Sequence, residues 1–253
     1  NQAPLKKDHL FRIASCTKTF IATLATILHF EGKLDLDDTI TNYLPDSITS
    51  HVQYADEITI RQLLSHTSGI FGINDNPEWW KAQFSDPTKE RTDIEALEFA
   101  YDKPAYFEPG AGSKYTNTNY LLAGLILDKA LGYHHSQGIR TRILEPLELD
   151  STFYEQHEEF DRTRLSHGYF DFQGDGTAED YYDLRIDTGH ASSALVSTVE
   201  DMELFVRSLF TRSDFPDASY RKEFLQELTK LGPGATGEPG ETGTGLGIME
   251  YNY

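Results

Sequence analysis

The stretch FRIASCTKTF, Phe11 to Phe20, sets Ser15 three residues ahead of Lys18 just where an apolar periodicity begins. Downstream, Phe20, Ile21, Leu24, Ile27 and Leu28 recur at helical spacing, and Gly32 follows as a stop signal. The spacing therefore predicts a buried helix with Ser15 at its mouth. Residues i and i+3 share a helix face, so the Lys18 ammonium reaches the Ser15 hydroxyl. A serine hydroxyl is a poor nucleophile until a neighbour takes its proton and donors hold the oxyanion that follows attack. A helix N-terminus disfavours a second positive charge, and partial burial pushes a lysine toward its neutral form, so Lys18 is a candidate base and Ser15 a candidate nucleophile. Spacing alone is a weak signal. Ser219 and Lys222, in SYRK, have the same spacing, but they lie in DASYRKEFLQELTKL, a charged amphipathic helix that reads as solvated surface. Cys16 points off the Ser15–Lys18 face and reads as a packing residue.

The chain around this stretch has 253 residues, of which 38% are hydrophobic, enough to bury a substantial core. Its 41 acidic against 22 basic side chains give a formal charge of -19, which repels nucleic-acid phosphates and anionic lipid and argues against either as a partner. With a single cysteine, neither an intrachain disulfide nor a cysteine zinc cluster can form. No apolar run approaches the ~20 residues that span a bilayer, and NQAPLKKDHL lacks the apolar centre of a signal peptide.

Further along, KLDLDDTITNYLP reads as a loop and EITIRQLLSHTSGI as a short helix closed by Gly69. Residues 71 to 113 are rich in Trp, Phe, Pro and Gly, with one expected helix at TDIEALEFAY. The glycine-rich loop FEPGAGSKYTNTNY follows, then the apolar helix NYLLAGLILDKALG ending at Gly132. Ser197 or Thr198 is expected to cap a helix over VEDMELFVRSLF. Strand signals are few, the best being GLGIMEYNY at residues 245 to 253. Tyr115 and Asn117, in YTN, stand two apart in a loop; in an extended chain their phenol and amide would face one cleft, while the competing reading is a surface turn that caps the next helix. Adjacent His134 and His135 cannot share a helix face as a metal pair does, so no metal is assigned and both are expected to be solvated. His66 reads as a structural histidine. Phe71, Trp79 and Trp80 either line a cleft or belong to the core.

Together, LFRIASCTKTFIATLATILHFEGKLDLDDTITNYLP, ITIRQLLSHTSGI, EPGAGSKYTNTNYLLAGLILDKALG, RILEPLELDSTF and ALVSTVEDMELF resemble successive blocks of the penicillin-recognising serine hydrolases. The branch they resemble includes class C β-lactamases, the Streptomyces-type D-alanyl-D-alanine carboxypeptidase and related esterases. The resemblance implies an α/β fold, a β-lactamase-like sandwich of antiparallel sheet and helices with a helical domain, spanning residues 1–253 as a single domain. It implies that Ser15 is acylated, that Lys18 and Tyr115 share its proton, and that Asn117 binds the amide carbonyl of the substrate. The Ser15 N–H would supply half of the oxyanion hole. No metal or other cofactor is implied; the substrate is a small molecule or peptide, of the D-alanyl, β-lactam or ester type, and the location periplasmic or secreted. A non-catalytic penicillin-binding sensor is the alternative. Two departures stand out: neither HxG nor KTG, the family's third motif, occurs, and nothing here resembles the helix and strands that precede the first block in relatives. An incomplete sheet, and a chain that extends at both ends in the natural protein, are the corresponding expectations.

Overall fold

The computed structural model describes residues 4–171, 174–185 and 190–252. Strand β1 (Phe11–Arg12) leads through a 3₁₀ turn at Ala14–Cys16 into helix α1 (Thr17–Phe30), in which every residue from Phe20 to Leu28 is buried. A helix that is apolar all round belongs in a core, and α1 is the axis of this one. Gly32, with φ +69°, turns the chain away after its last residue, as the sequence predicts.

Four short helices follow, α2 (Asp46–Thr49), α3 (Ile60–Leu64), α4 (Pro77–Ser85) and α5 (Asp93–Leu97). Reciprocal capping boxes, Thr59 with Gln62 and Thr92 with Glu95, start α3 and α5. Helix α4 is an addition to the single helix expected in residues 71 to 113. Asn76 caps it and Pro77 opens it, but its adjacent tryptophans give no clean amphipathic stripe. Trp79 is fully buried and belongs to the core, with its ring edge-on to Phe99, whereas Trp80 and Phe71 are half-buried.

The second long helix, α6 (Asn117–Leu131), is capped by Thr116 and closed by Gly132 at φ +76°. It packs against α1, α3, α5 and α7 (His135–Ile139), which a π turn extends through Leu144. Then come β2 (Phe153–Tyr154), a hairpin of β3 (Tyr169–Phe170) and β4 (Glu179–Asp180), β5 (Leu195–Ser197), α8 (Val199–Thr211), α9 (Arg221–Leu228) and a second hairpin of β6 (Glu241–Thr244) and β7 (Met249–Tyr251). Of the two caps considered for α8, Thr198 is the one used: its side chain accepts the Asp201 N–H.

Among the described residues the strands form small antiparallel sheets, the largest ordered β1-β5-β2 around a wholly buried β5. Strand β6, just ahead of GLGIMEYNY and without a strand signal of its own, pairs with β7 across a bulge between Glu241 and Gly243. The register pairs Arg12 with Val196, and the Ile13 N–H bonds to Leu195 O, so the sheet ends two residues before Ser15. From the other side, the turn between β6 and β7 presses on α1. A Cβ on Gly247, at φ +65°, would lie 2.8 Å from both Ala22 Cβ and Lys18 O, and Thr19 Oγ1 donates to the Gly247 carbonyl.

Candidate active site

The chain rises from the sheet edge through Ala14, whose φ of +45° is in the left-handed region. For a residue with a Cβ this costs ~1–3 kcal/mol, and such strain persists only where the surroundings enforce it. One residue later Ser15 is exposed, while Lys18 is only 3% exposed. Lys18 Nζ donates to Ser15 Oγ at 3.1 Å, to Asn117 Oδ1 at 2.9 Å and to the buried Ser192 carbonyl at 3.0 Å. The ammonium is thereby aimed, with all three of its protons directed, rather than free to swing.

Tyr115, a hundred residues further along the chain, donates its phenol proton to Ser15 Oγ at 2.7 Å. Its own N–H is held by Ala235 O at 2.7 Å, and Lys18 Nζ lies 4.9 Å from the centre of its ring. The four residues picked out in the sequence thus meet at one point. The YTN spacing works differently from the extended-loop reading, however: Thr116 caps the next helix and Asn117 is already its first residue. Tyr115 and Asn117 converge on the Ser15–Lys18 pair from opposite sides of that cap.

His66 is structural, as expected. Burial, followed by the nearby Lys18 charge, pushes its pKa down to about 3, so its imidazole is neutral. Ser219 is no rival to Ser15, since its Oγ donates to Asp217 at 2.6 Å and Lys222 is exposed. Two readings are corrected. Cys16 is exposed beside the nucleophile instead of packed, because the 3₁₀ turn turns it outward. His135 is fully buried instead of solvated: its Nδ1 pairs with Asp128 at 2.8 Å and its Nε2 with the Tyr154 hydroxyl at 2.7 Å.

Adjacency misled because His134 lies outside α7, as its cap, so its ring folds back over that of His135. Potential ligand atoms of Asp128, His134 and His135 lie within 4.8 Å of one another. Each residue already has structural work: Asp128 Oδ1 takes the His135 N–H and Nδ1, and His134 Nδ1 takes the Ser136 N–H. The trio reads as a helix-start clasp, and no metal is assigned to it.

A family model described as Beta-lactamase matches residues 1–253. The chain belongs to the beta-lactamase family. Family members are serine hydrolases, among them β-lactamases, penicillin-binding proteins and amidases. In structure, the chain is similar to a D-stereospecific amidohydrolase from Streptomyces sp., with a TM-score of 0.86 and 29% identity over 97% of this chain and 72% of that one. A D-amino acid amidase from Ochrobactrum anthropi SV3, complexed with L-phenylalanine amide, gives a TM-score of 0.81 and 31% identity over 100% of this chain and 69% of that one. In sequence, it is 28% identical to penicillin-binding protein 4* of Bacillus subtilis, over 87% of this chain and 49% of that protein. The chain spans about half the length of such curated relatives, the Staphylococcus aureus protein flp included, of which it covers 46%. Among the described residues no helix is long and apolar enough to cross a membrane.

Proposed function

We propose that this protein hydrolyses an amide or ester through an acyl-enzyme on Ser15, with a substrate of the D-amino-acyl type: a D-amino acid amide, a D-alanyl peptide or a β-lactam. The observation that carries this reading is the pair of hydrogen bonds that converge on Ser15 Oγ, from Tyr115 OH at 2.7 Å and Lys18 Nζ at 3.1 Å. Each donor, once it has lost its proton, is placed to take the one on the hydroxyl. As Oγ attacks the carbonyl carbon, its proton passes to the Tyr115–Lys18 pair, which then delivers it to the departing amine or alcohol. Water repeats the sequence on the ester to free the acid and restore Ser15. The Ser15 N–H contributes one oxyanion donor. With Asn117 Oδ1 occupied by Lys18, its Nδ2 is the group that donates to an amide carbonyl of the substrate. The D-amino-acyl class is supported by the likeness to the amidohydrolase and the amidase. An enzyme that acts on D-alanyl peptides would work outside the cytoplasmic membrane, in the periplasm or as a secreted protein.

The test is labelling with a fluorescent fluorophosphonate and a fluorescent penicillin, read by intact mass. One adduct per chain is expected, absent in Ser15→Ala and unchanged in Ser219→Ala. Equal labelling of Ser15→Ala would remove Ser15 from the mechanism.

A further inference from the structure

The bonds of the residues that flank Tyr115 converge on one residue, His66. The His66 carbonyl accepts the N–H of Lys114 at 3.0 Å, and its Nδ1 accepts the N–H of Thr116 at 3.3 Å. Its imidazole lies against the phenol ring of Tyr115, with centroids 4.5 Å apart. One side chain and its own carbonyl thereby hold the N–H groups of the residues on either side of Tyr115 and lie against the ring between them, while the Tyr115 N–H itself goes to Ala235 O. His66 itself is 1% exposed and sits at φ +59°, in the left-handed region that histidine, like asparagine and aspartate, enters more often than other residues with a Cβ.

The protonation state this grip needs is set by a relay. Ser68 Oγ donates to Asn119 Oδ1 at 2.6 Å, which orients the Asn119 amide so that its Nδ2 faces His66 Nδ1 at 3.1 Å. Nδ1 thus meets two donors, the Asn119 amide and the Thr116 N–H, so it must be a bare acceptor and the ring proton must sit on Nε2. A cationic imidazole would turn an N–H toward both donors and add a positive charge beside Lys18, so the fold has reason to keep this histidine neutral.

We infer that His66 is a positioning residue for Tyr115: it fixes the phenol oxygen at hydrogen-bond distance from Ser15 Oγ while touching no substrate. The inference rests on the proposed role of Tyr115 as a proton carrier. Proton transfer demands close alignment, and a misplacement of about 1 Å costs on the order of 10²-fold in rate.

Two variants separate the components of the grip. His66→Phe keeps a ring against Tyr115 but removes the acceptor. His66→Asn keeps an acceptor near the place of Nδ1, and asparagine tolerates the left-handed backbone, so it is the variant suited to retain the local fold. With a fluorophosphonate as probe, His66→Phe should acylate at least about 10-fold more slowly than the parent, and His66→Asn should recover most of that loss. In a Tyr115→Phe background the same His66→Phe change should alter the rate by less than about 2-fold, because the group it positions is gone. An equal loss in both backgrounds would show a general structural effect and overturn the inference.

A second readout does not need activity. With tyrosine labelled at Cζ and the Tyr115 signal assigned by its loss in Tyr115→Phe, His66→Phe should shift or broaden that signal and His66→Asn should largely preserve it. An unmoved signal in a folded His66→Phe protein refutes the positioning role. If the parent itself takes no label at Ser15, the proposed hydrolase function fails while the signal still decides whether His66 places Tyr115.

Discussion

At Ser15 the geometry separates two residues that the family resemblance treats as partners. Tyr115 is half-buried and its phenol reaches the nucleophile at 2.7 Å, so Tyr115→Phe removes a proton carrier and little else. Acylation should slow by about 10²–10⁴, with the thermal midpoint nearly unchanged. Lys18 is different, for its ammonium also satisfies Asn117 Oδ1 and the buried Ser192 carbonyl. Lys18→Ala should lose a similar factor in rate and in addition about 1–3 kcal/mol of stability from the acceptors it strands, measured by chemical denaturation. A Tyr115→Phe protein with full activity on several substrates would end the relay assignment. The residue types were legible in the sequence because SxxK and YTN occurred among ordered blocks. Their meeting was implied by the family resemblance alone, since a hundred residues separate Ser15 from Tyr115 and the contact is made by the fold. The misreadings of Cys16 and His135 share one cause: regular helix was assumed where Cys16 lies in a 3₁₀ turn and where His134, the residue before His135, is a cap.

Elements with strong local chemistry were the legible ones. Apolar periodicity and a terminal glycine located α1 and α6, and the expected cap at Ser197 or Thr198 located α8. Strands of two or three residues, such as β1 and β5, carry no such signal, because their pairing depends on long-range register rather than on neighbours in sequence. Thr198→Ala removes the acceptor for the Asp201 N–H and should lower stability by about 1 kcal/mol in denaturant titration. The loop element around His66 yields a pH prediction. Its pKa falls from 6.5 to about 3 on folding, owing to burial first and Lys18 second, with Glu241 opposing and the neutral rings of Tyr115 and Tyr120 against it. The unfolded chain therefore binds the extra proton. Stability from this group is complete above about pH 6.5 and declines as the pH falls toward 3, at roughly 1.4 kcal/mol per pH unit. His66→Asn should flatten the fall in stability between about pH 6 and 4; an unchanged slope would show that His66 is protonated in the folded state.

For the whole molecule, what the sequence concealed is what loops and surfaces decide. Trp79 is buried in the core while Trp80 and Phe71 stay half-buried, a division that no short motif encodes. Surface chemistry is more readable. A charge of -19 gives strong self-repulsion, which should keep the protein dispersed at low salt and less so as salt screens it. Against that background helix α8 stands out. Phe205 and Leu209 are buried on its inner face, while Val199, Val206 and Phe210 remain 67%, 48% and 45% exposed. Spaced seven and four apart, these three share one side of the helix and form an apolar stripe on an otherwise acidic surface. At high salt the stripe should bind a hydrophobic dye and promote self-association. The double change Val206→Lys and Phe210→Lys should reduce both dye fluorescence and light scattering. Because neither side chain is in the core, the stability cost should stay within about 0.5 kcal/mol per site. Dye binding that persists undiminished in the double variant would assign the effect to another surface, the exposed Tyr169 and Phe170 of β3 being the next to change.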